Sequence, residues 1–233
     1  MYSSITVLVP FYNEEKTLKH SVERLISTLG STVKIFLIDD ASTDKSNKIA
    51  YFISENNKNV RLFSNKVNSG KGSALMSTFN EITTTHFVVH DADLEYNPKD
   101  LYKMIKLIKN NPSSLILGSR FKGNEDRTNI YLRTRYANQL MSKLFTFVYK
   151  ANVTDIATCY KIFPSEVLDY EFKERGFAID LELVYRYLKF NNSILEIPIA
   201  YKGRSYELGK KIKLKDGFIW IFKIFYFRYL LVR

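Results

Sequence analysis

Residues 88–95 read Val-Val-His-Asp-Ala-Asp-Leu-Glu, an apolar run that ends at two carboxylates one residue apart. The run predicts a buried strand over 86–89. The end of such a strand lies at the edge of a sheet, where loops and ligands meet. Two oxygen donors there, Asp91 and Asp93, suit Mg²⁺ or Mn²⁺, which keep open positions for substrate phosphates. Acidic turns are also common before helices, so the meaning of this pair depends on the rest of the chain.

Other apolar runs of strand length alternate with helical patterns through about residue 120. Further strands are predicted over 5–9, 33–38, 60–63 and 115–117, and helices over 14–29, 70–79 and 98–108. Alternation of this kind predicts an α/β, Rossmann-like, mostly parallel sheet that is covered by helices on both faces. Beyond residue 120 the alternation weakens, with helices predicted over 130–150 and 180–190 and strands over 159–163 and 194–197.

Polar motifs follow four of the predicted strands at the point where each strand ends. They are Pro10-Phe-Tyr-Asn-Glu14, Asp39-Asp40, Asp91-Ala-Asp93 and Gly118-Ser-Arg120. Because the carboxyl ends of parallel strands meet at one edge of a sheet, we expect these motifs to lie close together. Four such motifs favour a functional cluster over ordinary solvated loops.

Composition narrows the class of protein. With 233 residues, 45% of them hydrophobic, the chain is long enough for one sizeable core. A single cysteine, Cys159, excludes a disulfide framework and a multi-cysteine metal site, and it is best interpreted as a small buried apolar residue. The start lacks a signal-peptide pattern and no stretch has the length of a bilayer-spanning helix, so we expect a protein that is cytosolic or peripheral to a membrane.

The net charge of +11 is compatible with nucleic acid, anionic lipid or phosphorylated small molecules as partners. A nucleic-acid-binding module would leave the acidic pair unexplained, so no nucleic-acid partner is predicted. Residues 218–233 are aromatic and basic, and too short and too charged to span a bilayer. They predict either a helix that lies in a membrane interface or a final helix packed on the core or on a second copy. The sequence predicts no particular oligomeric state.

Taken together, the motifs resemble those of the family 2 glycosyltransferases. Val9-Pro-Phe-Tyr-Asn-Glu-Glu, Ile38-Asp-Asp-Ala-Ser-Thr-Asp, Asn68-Ser-Gly-Lys-Gly, Asp91-Ala-Asp-Leu-Glu and Gly118-Ser-Arg-Phe stand in the order and spacing of that family. The chain looks most like the dolichyl- or polyprenyl-phosphate hexosyltransferases, the dolichol-phosphate mannosyltransferase branch. The resemblance implies a GT-A catalytic domain over 1–217, followed by the helix over 218–233. It also implies a nucleotide-sugar donor, a divalent cation and inversion at the anomeric carbon.

The resemblance assigns roles to individual residues. Asp91 and Asp93 would hold Mg²⁺ or Mn²⁺, and Glu95 would add a third oxygen directly or through water. Asp40, with Asp39 beside it, would contact the base or ribose, although a turn and helix cap would also account for both. The remaining nucleotide-sugar contacts would come from Pro10, Tyr12, Glu14, Lys71, Ala92, Arg133, Arg135, Arg204, Lys210 and Lys211. Arg120 would be a catalytic residue that contacts phosphate, beside Asp91 and Asp93.

The acceptor determines whether a base is needed. Transfer to a hydroxyl needs a group that takes the proton, and Asp155, Asp180 and Glu182 are the candidates. A phosphate monoester with a second pKa of about 6 is already mostly dianionic at neutral pH and needs none. Polyprenyl phosphate is therefore the favoured acceptor, and a saccharide hydroxyl in cell-surface polysaccharide assembly is the alternative. GDP-mannose, UDP-glucose and UDP-N-acetylglucosamine all remain open as donors.

Overall fold

The computed structural model describes residues 4–128, 131–191, 193–204 and 214–231. The strands are β1 Ile5–Phe11, β2 Lys34–Asp39, β3 Val60–Ser64, β4 His86–Val89, β5 Leu115–Ser119, β6 Arg127–Thr128, β7 Lys161–Pro164, β8 Ile194–Pro198 and β9 Tyr201–Lys202. The α-helices are α1 Leu18–Leu29, α2 Ser46–Glu55, α3 Lys71–Met76, α4 Pro98–Ile108, α5 Leu132–Tyr149, α6 Ile179–Phe190 and α7 Leu214–Phe225. A π-helical turn, Tyr226–Leu230, continues α7.

Seven strands form one sheet in the order β3-β2-β1-β4-β7-β5-β8. Strands β1 to β4 pair in parallel, and β5 pairs with β8 in parallel. Helix α1 packs against α2 and α4, whereas α6 packs against α3 and α7. The predicted α/β fold with a mostly parallel, helix-covered sheet is therefore confirmed.

The central strands consist of almost unbroken apolar sequence because helices exclude water from both faces of a parallel sheet. All four residues of β4 are buried, as are six of the seven residues of β1. Helix α4 follows residues 90–97 (the acidic loop) and begins where its sequence indicates. The Asn97 side chain accepts a hydrogen bond from the backbone N–H of Lys99, and Pro98 occupies the first turn.

Two features of the sheet differ from the sequence-based expectation. The strand expected over 159–163 is β7, which begins at Lys161 and lies antiparallel between β4 and β5. The small sheet of β6 and β9 was not expected. Its strands have two residues each, too few to show an alternating pattern, yet β9 leads directly to Arg204.

The C-terminal helix packs on the body of the protein with one face only. Ile224, Phe227 and Leu231 are buried, whereas Phe218 and Phe222 are 76% and 58% exposed. Its backbone is also bound to the body, because the Tyr149 hydroxyl donates to the carbonyl of Ile224 and the Tyr185 hydroxyl to that of Leu231. In the described part of the chain, no helix has the length and hydropathy needed to cross a membrane.

Candidate active site

The site lies at the point in the sheet where the order of the strands along the chain reverses. β2 and β3 continue from β1 to one side and β4 lies on the other side, so the loops after β1 and β4 border a crevice at the carboxyl ends of the strands. The loops after β1, β2 and β4 each contain a non-glycine residue with positive φ, namely Asn13 (53°), Ala41 (61°) and Leu94 (66°). Such a conformation costs about 1–2 kcal/mol per residue. Backbone strain of this kind, repeated in loops that meet at one edge, indicates a functional site.

Lys71 joins the acidic loop to α6. Its Nζ lies 3.0 Å from Asp91 Oδ1 and 3.1 Å from Asp180 Oδ2. Burial alone would lower the pKa of Lys71, but Asp180 and Asp91 outweigh it and hold that pKa well above its usual value. Burial also opposes the charged form of Asp91 and would raise its pKa, but the nearby ammonium of Lys71 outweighs burial and lowers that pKa. The lysine is therefore a firmly charged bridge between two carboxylates.

A close approach of backbones fixes the position of this lysine. A Cβ at Gly72 would overlap the carbonyl oxygen of Glu174, and the backbone N–H of Ser73 donates to the carbonyl of Arg175 at 3.0 Å. Glycine is thus required next to Lys71 for α3 to pack against the 174–176 segment. Glu174 also pairs with Lys223 of α7 at 2.7 Å, so the same segment contacts the C-terminal helix.

Asp93 experiences the opposite electrostatic environment from Asp91. Burial, together with repulsion from Asp91 and Glu95, raises the pKa of Asp93 to about 8. The Nε of Arg204 lies 3.8 Å from Asp93 Oδ2, too far for a hydrogen bond. Additional positive charge at this point would stabilise the ionised acidic loop.

The acidic loop fits a divalent cation that also binds substrate oxygens. Within the described ranges, no group of three or more His, Cys, Asp or Glu side chains is arranged to hold a metal ion. Mg²⁺ typically uses one or two carboxylates together with substrate phosphates, so a complete cage of protein ligands is not required. Asp91 and Asp93 supply such a pair. A bound cation would offset the burial and repulsion that raise the pKa of Asp93. Their role as metal ligands stays a prediction.

Glu95 directs its carboxylate towards β9 and the residues that follow it. Its Oε2 accepts a hydrogen bond of 2.6 Å from the Tyr201 hydroxyl, and its Oε1 accepts one of 2.8 Å from the backbone N–H of Arg204. The guanidinium of Arg204 donates to the carbonyl of Asp93 at 3.1 Å and to Glu14 Oε2 at 3.0 Å. Arg204 therefore connects the loops after β1 and β4, and it brings the predicted residue Glu14 to the acidic loop.

Asp39 and Asp40 are buried and organise the loops around them. Asp39 accepts hydrogen bonds from the backbone N–H of Ser42 and the side chain of Asn47. Asp40 accepts them from the backbone N–H groups of Ser69 and Gly70 at 3.1 Å and 2.8 Å. Asp39 thus stabilises the turn that follows it, Asp40 holds the loop before α3, and a contact of either with base or ribose stays a prediction.

Two further predicted groups are held in buried ion pairs. Arg120 binds Asp155 with two parallel hydrogen bonds, from Nε at 2.7 Å and from an Nη at 2.9 Å. Glu182 is completely buried, pairs with Arg186 at 3.1 Å and accepts from backbone N–H groups at residues 173 and 174. The structure gives Arg120, Asp155 and Glu182 structural roles, and their catalytic roles stay predictions.

The remaining predicted residues are distributed more widely. Pro10 lies near the carboxyl end of β1, Tyr12 is 37% exposed in the loop that follows it, and Ala92 is buried between the two aspartates. Arg133 and Arg135 are exposed on the first turns of α5, and among the described residues no hydrogen bond or ion pair joins them to the acidic loop. Lys210 and Lys211 lie outside the described residues.

Sequence reasoning missed Tyr201 and Glu174, and it missed the partners of Lys71. Tyr201 is one of 16 tyrosines, and its contact with Glu95 spans 106 positions, so no local pattern marks it. The expectation that Cys159 is buried is confirmed. His90 is enclosed between Ser21 and Tyr160, where burial lowers its pKa to about 4.

Known proteins share both the sequence pattern and the fold. The model of glycosyl transferase family 2 matches residues 6–172, more than half of the chain. A dolichol-phosphate mannosyltransferase of Pyrococcus furiosus is 27% identical over 216 residues, which are 89% of this chain and 60% of that protein. An undecaprenyl-phosphate 4-deoxy-4-formamido-L-arabinose transferase of Proteus mirabilis is 23% identical over 91% of this chain and 64% of that protein. The chain thus spans less than two thirds of the length of these relatives.

The same fold occurs in a solved enzyme. Glucosyl-3-phosphoglycerate synthase of Mycobacterium tuberculosis, in complex with Mn²⁺, UDP and glucosyl-3-phosphoglycerate, superposes with a TM-score of 0.73 at 18% identity, over 97% of this chain and 80% of that one. Its complex with Mn²⁺, UDP-glucose and phosphoglyceric acid gives the same TM-score at 17% identity, over 97% of this chain and 78% of that one. At this identity the similarity establishes the fold.

Replacing Lys71 by methionine would leave Asp91 and Asp180 without their shared cation. We expect the free energy of unfolding without metal to fall by about 2 kcal/mol, less than for a fully buried pair because Asp91 is 32% exposed. Mn²⁺ should then raise the melting temperature of the variant more than that of the wild type, since no ammonium competes for Asp91. Thermal unfolding with and without Mn²⁺ measures both effects. Lys66→Met, at an exposed lysine of the preceding loop, is the control, and equal shifts in all three proteins would contradict the expectation.

Proposed function

The chain belongs to glycosyl transferase family 2, and we propose that it transfers a hexose from a nucleotide sugar to polyprenyl or dolichyl phosphate with inversion and with the help of a divalent metal ion. One observation carries the proposal. At the crevice between β1 and β4, the carboxylates of Asp91 and Asp93 stand between two cationic side chains, Lys71 and Arg204. This arrangement suits a diphosphate that arrives with a metal ion and leaves with more negative charge.

The acidic loop would supply the electrostatic part of catalysis. A divalent ion bound by Asp91 and Asp93 would neutralise the charge that develops on the leaving nucleoside diphosphate. The bound Mn²⁺ and UDP of glucosyl-3-phosphoglycerate synthase support this proposal through the shared fold.

The chain's own cations would position the donor. A metal ion on Asp91 would release the ammonium of Lys71 towards phosphate oxygens. The guanidinium of Arg204 would add further hydrogen bonds to the same diphosphate. Asp39 and Asp40 would place acceptor oxygens near the base or ribose. Arg133, Arg135, Lys210 and Lys211 are proposed as further contacts with the nucleotide sugar.

The buried ion pairs favour a phosphate acceptor. Of the three candidate bases, Asp155 and Glu182 are completely buried and are held by Arg120 and Arg186. A phosphate acceptor needs no base because it is already ionised, so positioning and charge suffice. The names of the relatives, which act on dolichol phosphate and undecaprenyl phosphate, support the same acceptor class.

One observation favours a second candidate, transfer to a saccharide hydroxyl. The carboxylate of Asp180 lies across a single ammonium from Asp91, and a base for a hydroxyl acceptor would be needed near that point. Asp180 would have to separate from Lys71 before it took a proton.

The C-terminal helix supports a location at a membrane surface, and we propose that it docks on anionic bilayers together with α5, against which it packs. Both helices expose large apolar side chains, and residues 132–150 and 217–231 contain several basic residues and no acidic one. The exposed apolar side chains are Leu132, Tyr136, Leu140, Phe147, Phe218, Ile219, Phe222, Phe225, Tyr229 and Leu230.

Nucleotide binding is the first test. In the presence of Mn²⁺, either UDP and its sugars or GDP and its sugars should raise the melting temperature, because a ligand that binds only the folded state stabilises it. Asp93→Ala should lose the shift, whereas Asp169→Ala, at an exposed aspartate distant in sequence from the acidic loop, should keep it. Absence of a shift with both nucleotide families in the wild type would refute the nucleotide-sugar donor.

The acceptor is tested with the nucleotide sugar that raises the melting temperature. The measured quantity is the rate at which the nucleoside diphosphate is released from that donor. We expect a short polyprenyl phosphate to stimulate release, and the matching polyprenol without phosphate to have no effect, because the dianion is the nucleophile. Stimulation by oligosaccharides but not by polyprenyl phosphate would replace the first candidate acceptor with the second.

Membrane docking is tested with vesicles of phosphatidylcholine, with and without phosphatidylglycerol. We expect co-sedimentation with the anionic vesicles, and a loss of binding of about tenfold or more when Phe218, Phe222 and Tyr229 are all replaced by serine. These three side chains are exposed, so the variant should fold, unlike a truncation that removes the buried face of α7. Phe52→Ser, at an exposed phenylalanine of α2, is the control. Equal binding by the triple variant and the wild type would contradict docking through α7.

A further inference from the structure

We propose that Glu95 is a positioning residue that, together with Tyr201, holds residues 201–204 (the arginine segment) in place so that the guanidinium of Arg204 lies across the nucleotide-sugar crevice. This inference rests on the proposed function, and it differs from the metal-ligand role that the family resemblance implies for Glu95.

Glu95 binds the arginine segment at three points. Its two carboxylate oxygens accept hydrogen bonds from the Tyr201 hydroxyl at 2.6 Å and from the backbone N–H of Arg204 at 2.8 Å. Its backbone carbonyl accepts a third, of 2.9 Å, from the N–H of Lys202. One residue of the acidic loop therefore fixes both ends of a segment that lies more than a hundred positions later in the chain.

The surroundings of Tyr201 keep its hydroxyl directed at Glu95. The ring packs edge-on against Tyr96 with centroids 5.3 Å apart, and the guanidinium of Arg120 lies 5.0 Å from its centroid. Burial raises the pKa of Tyr201 well above its usual value, so its hydroxyl remains a donor. The buried Arg120–Asp155 pair thus supports the tyrosine from its other side.

The rest of the arginine segment is bound to the body through its backbone. The N–H of Tyr201 donates to the carbonyl of Asp126, and that of Gly203 donates to the carbonyl of Thr128, each at 3.0 Å. These bonds fix β9 but end before Arg204. The carboxylate of Glu95 is the group that accepts from the N–H of Arg204, so it sets where the arginine side chain starts.

From that point the side chain of Arg204 spans the crevice. It contacts the carbonyl of Asp93 after β4 and the carboxylate of Glu14 after β1. A guanidinium held across the switch point of the sheet is placed where the diphosphate of a donor would lie. A displacement of about 1 Å in such a group is enough to weaken binding and catalysis markedly.

A metal ion would compete for the same carboxylate. If Glu95 turned towards Asp91 and Asp93, the hydroxyl of Tyr201 and the N–H of Arg204 would both lose their acceptor. Both donors are partly buried, and a donor that loses its acceptor in such a place destabilises the structure. The geometry therefore favours Glu95 in contact with the arginine segment, with the ion left to the two aspartates and the diphosphate.

A double-mutant cycle tests the proposal with the full chain. Affinity for UDP or GDP, whichever gives the thermal shift, is measured by calorimetry with Mn²⁺ for Tyr201→Phe, Arg204→Gln and the double variant. Tyr201→Phe should weaken binding about fivefold and Arg204→Gln more strongly, while the double variant should resemble Arg204→Gln, because coupled residues are not additive. Tyr102→Phe, at an exposed tyrosine of α4, is the matched control. Additive effects, or no effect of Tyr201→Phe, would overturn the proposal.

Two measurements without nucleotide separate this inference from the proposed function. Hydrogen exchange of the amides of the arginine segment should be faster in Glu95→Gln and Tyr201→Phe than in the wild type and in Tyr102→Phe. Mn²⁺ binding to the protein alone, followed by electron paramagnetic resonance, should be unchanged by Glu95→Gln and lost in Asp93→Ala. Unchanged exchange in both variants, or loss of Mn²⁺ binding in Glu95→Gln, would overturn the positioning role. A wild type that binds neither UDP nor GDP would instead refute the proposed function.

Discussion

The structure depends on how the charge of three neighbouring acidic side chains is balanced at the edge of the sheet. Asp91, Asp93 and Glu95 come from a single loop, and like charges at this distance oppose one another's ionisation. The chain offsets that repulsion with cations from distant elements, Lys71 before the loop and Arg204 long after it. The compensation is uneven, because it lowers the pKa of Asp91 but leaves that of Asp93 raised to about 8 by burial and by its neighbours.

This uneven compensation supports the proposal that a donor and an ion bind together at the site. An isolated cation would have to compete with Lys71 for Asp91, whereas an ion that arrives with a diphosphate also brings negative charge for the displaced ammonium. Exchange of this kind preserves the charge balance of a partly buried site, where an unpaired charge is costly. The same cations that stabilise the acidic loop would then stabilise the leaving group, which is the preorganisation that electrostatic catalysis requires.

The predictable part of this protein is the part that is local in sequence. The strand at 86–89 and the helix at 98–108 have the expected bounds, since buried β-branched runs and an Asn-Pro helix start are local signals. The antiparallel direction of β7 and the pairing of β6 with β9 depend on long-range packing, which periodicity does not encode. The site shows the same division. The acidic loop was recognisable from its strand, but the bond between Glu95 and Tyr201 and the bridge from Lys71 to Asp180 join residues about a hundred positions apart.

The C-terminal helix shows how two interpretations that compete at the level of sequence are compatible in a folded chain. An aromatic helix with a few basic residues is expected either in the core or at a membrane, because each environment favours burial of the same side chains. Here one face of the helix packs on the core and the other face remains exposed. Ile224 and Phe227 are buried in the core, while Phe218 and Phe222 remain exposed. Lys223 pairs with Glu174 in the segment that packs against the glycine next to Lys71. The surface proposed to meet the bilayer and the crevice proposed to bind the donor are therefore connected by a short path of direct contacts, which suits an enzyme that takes one substrate from each side.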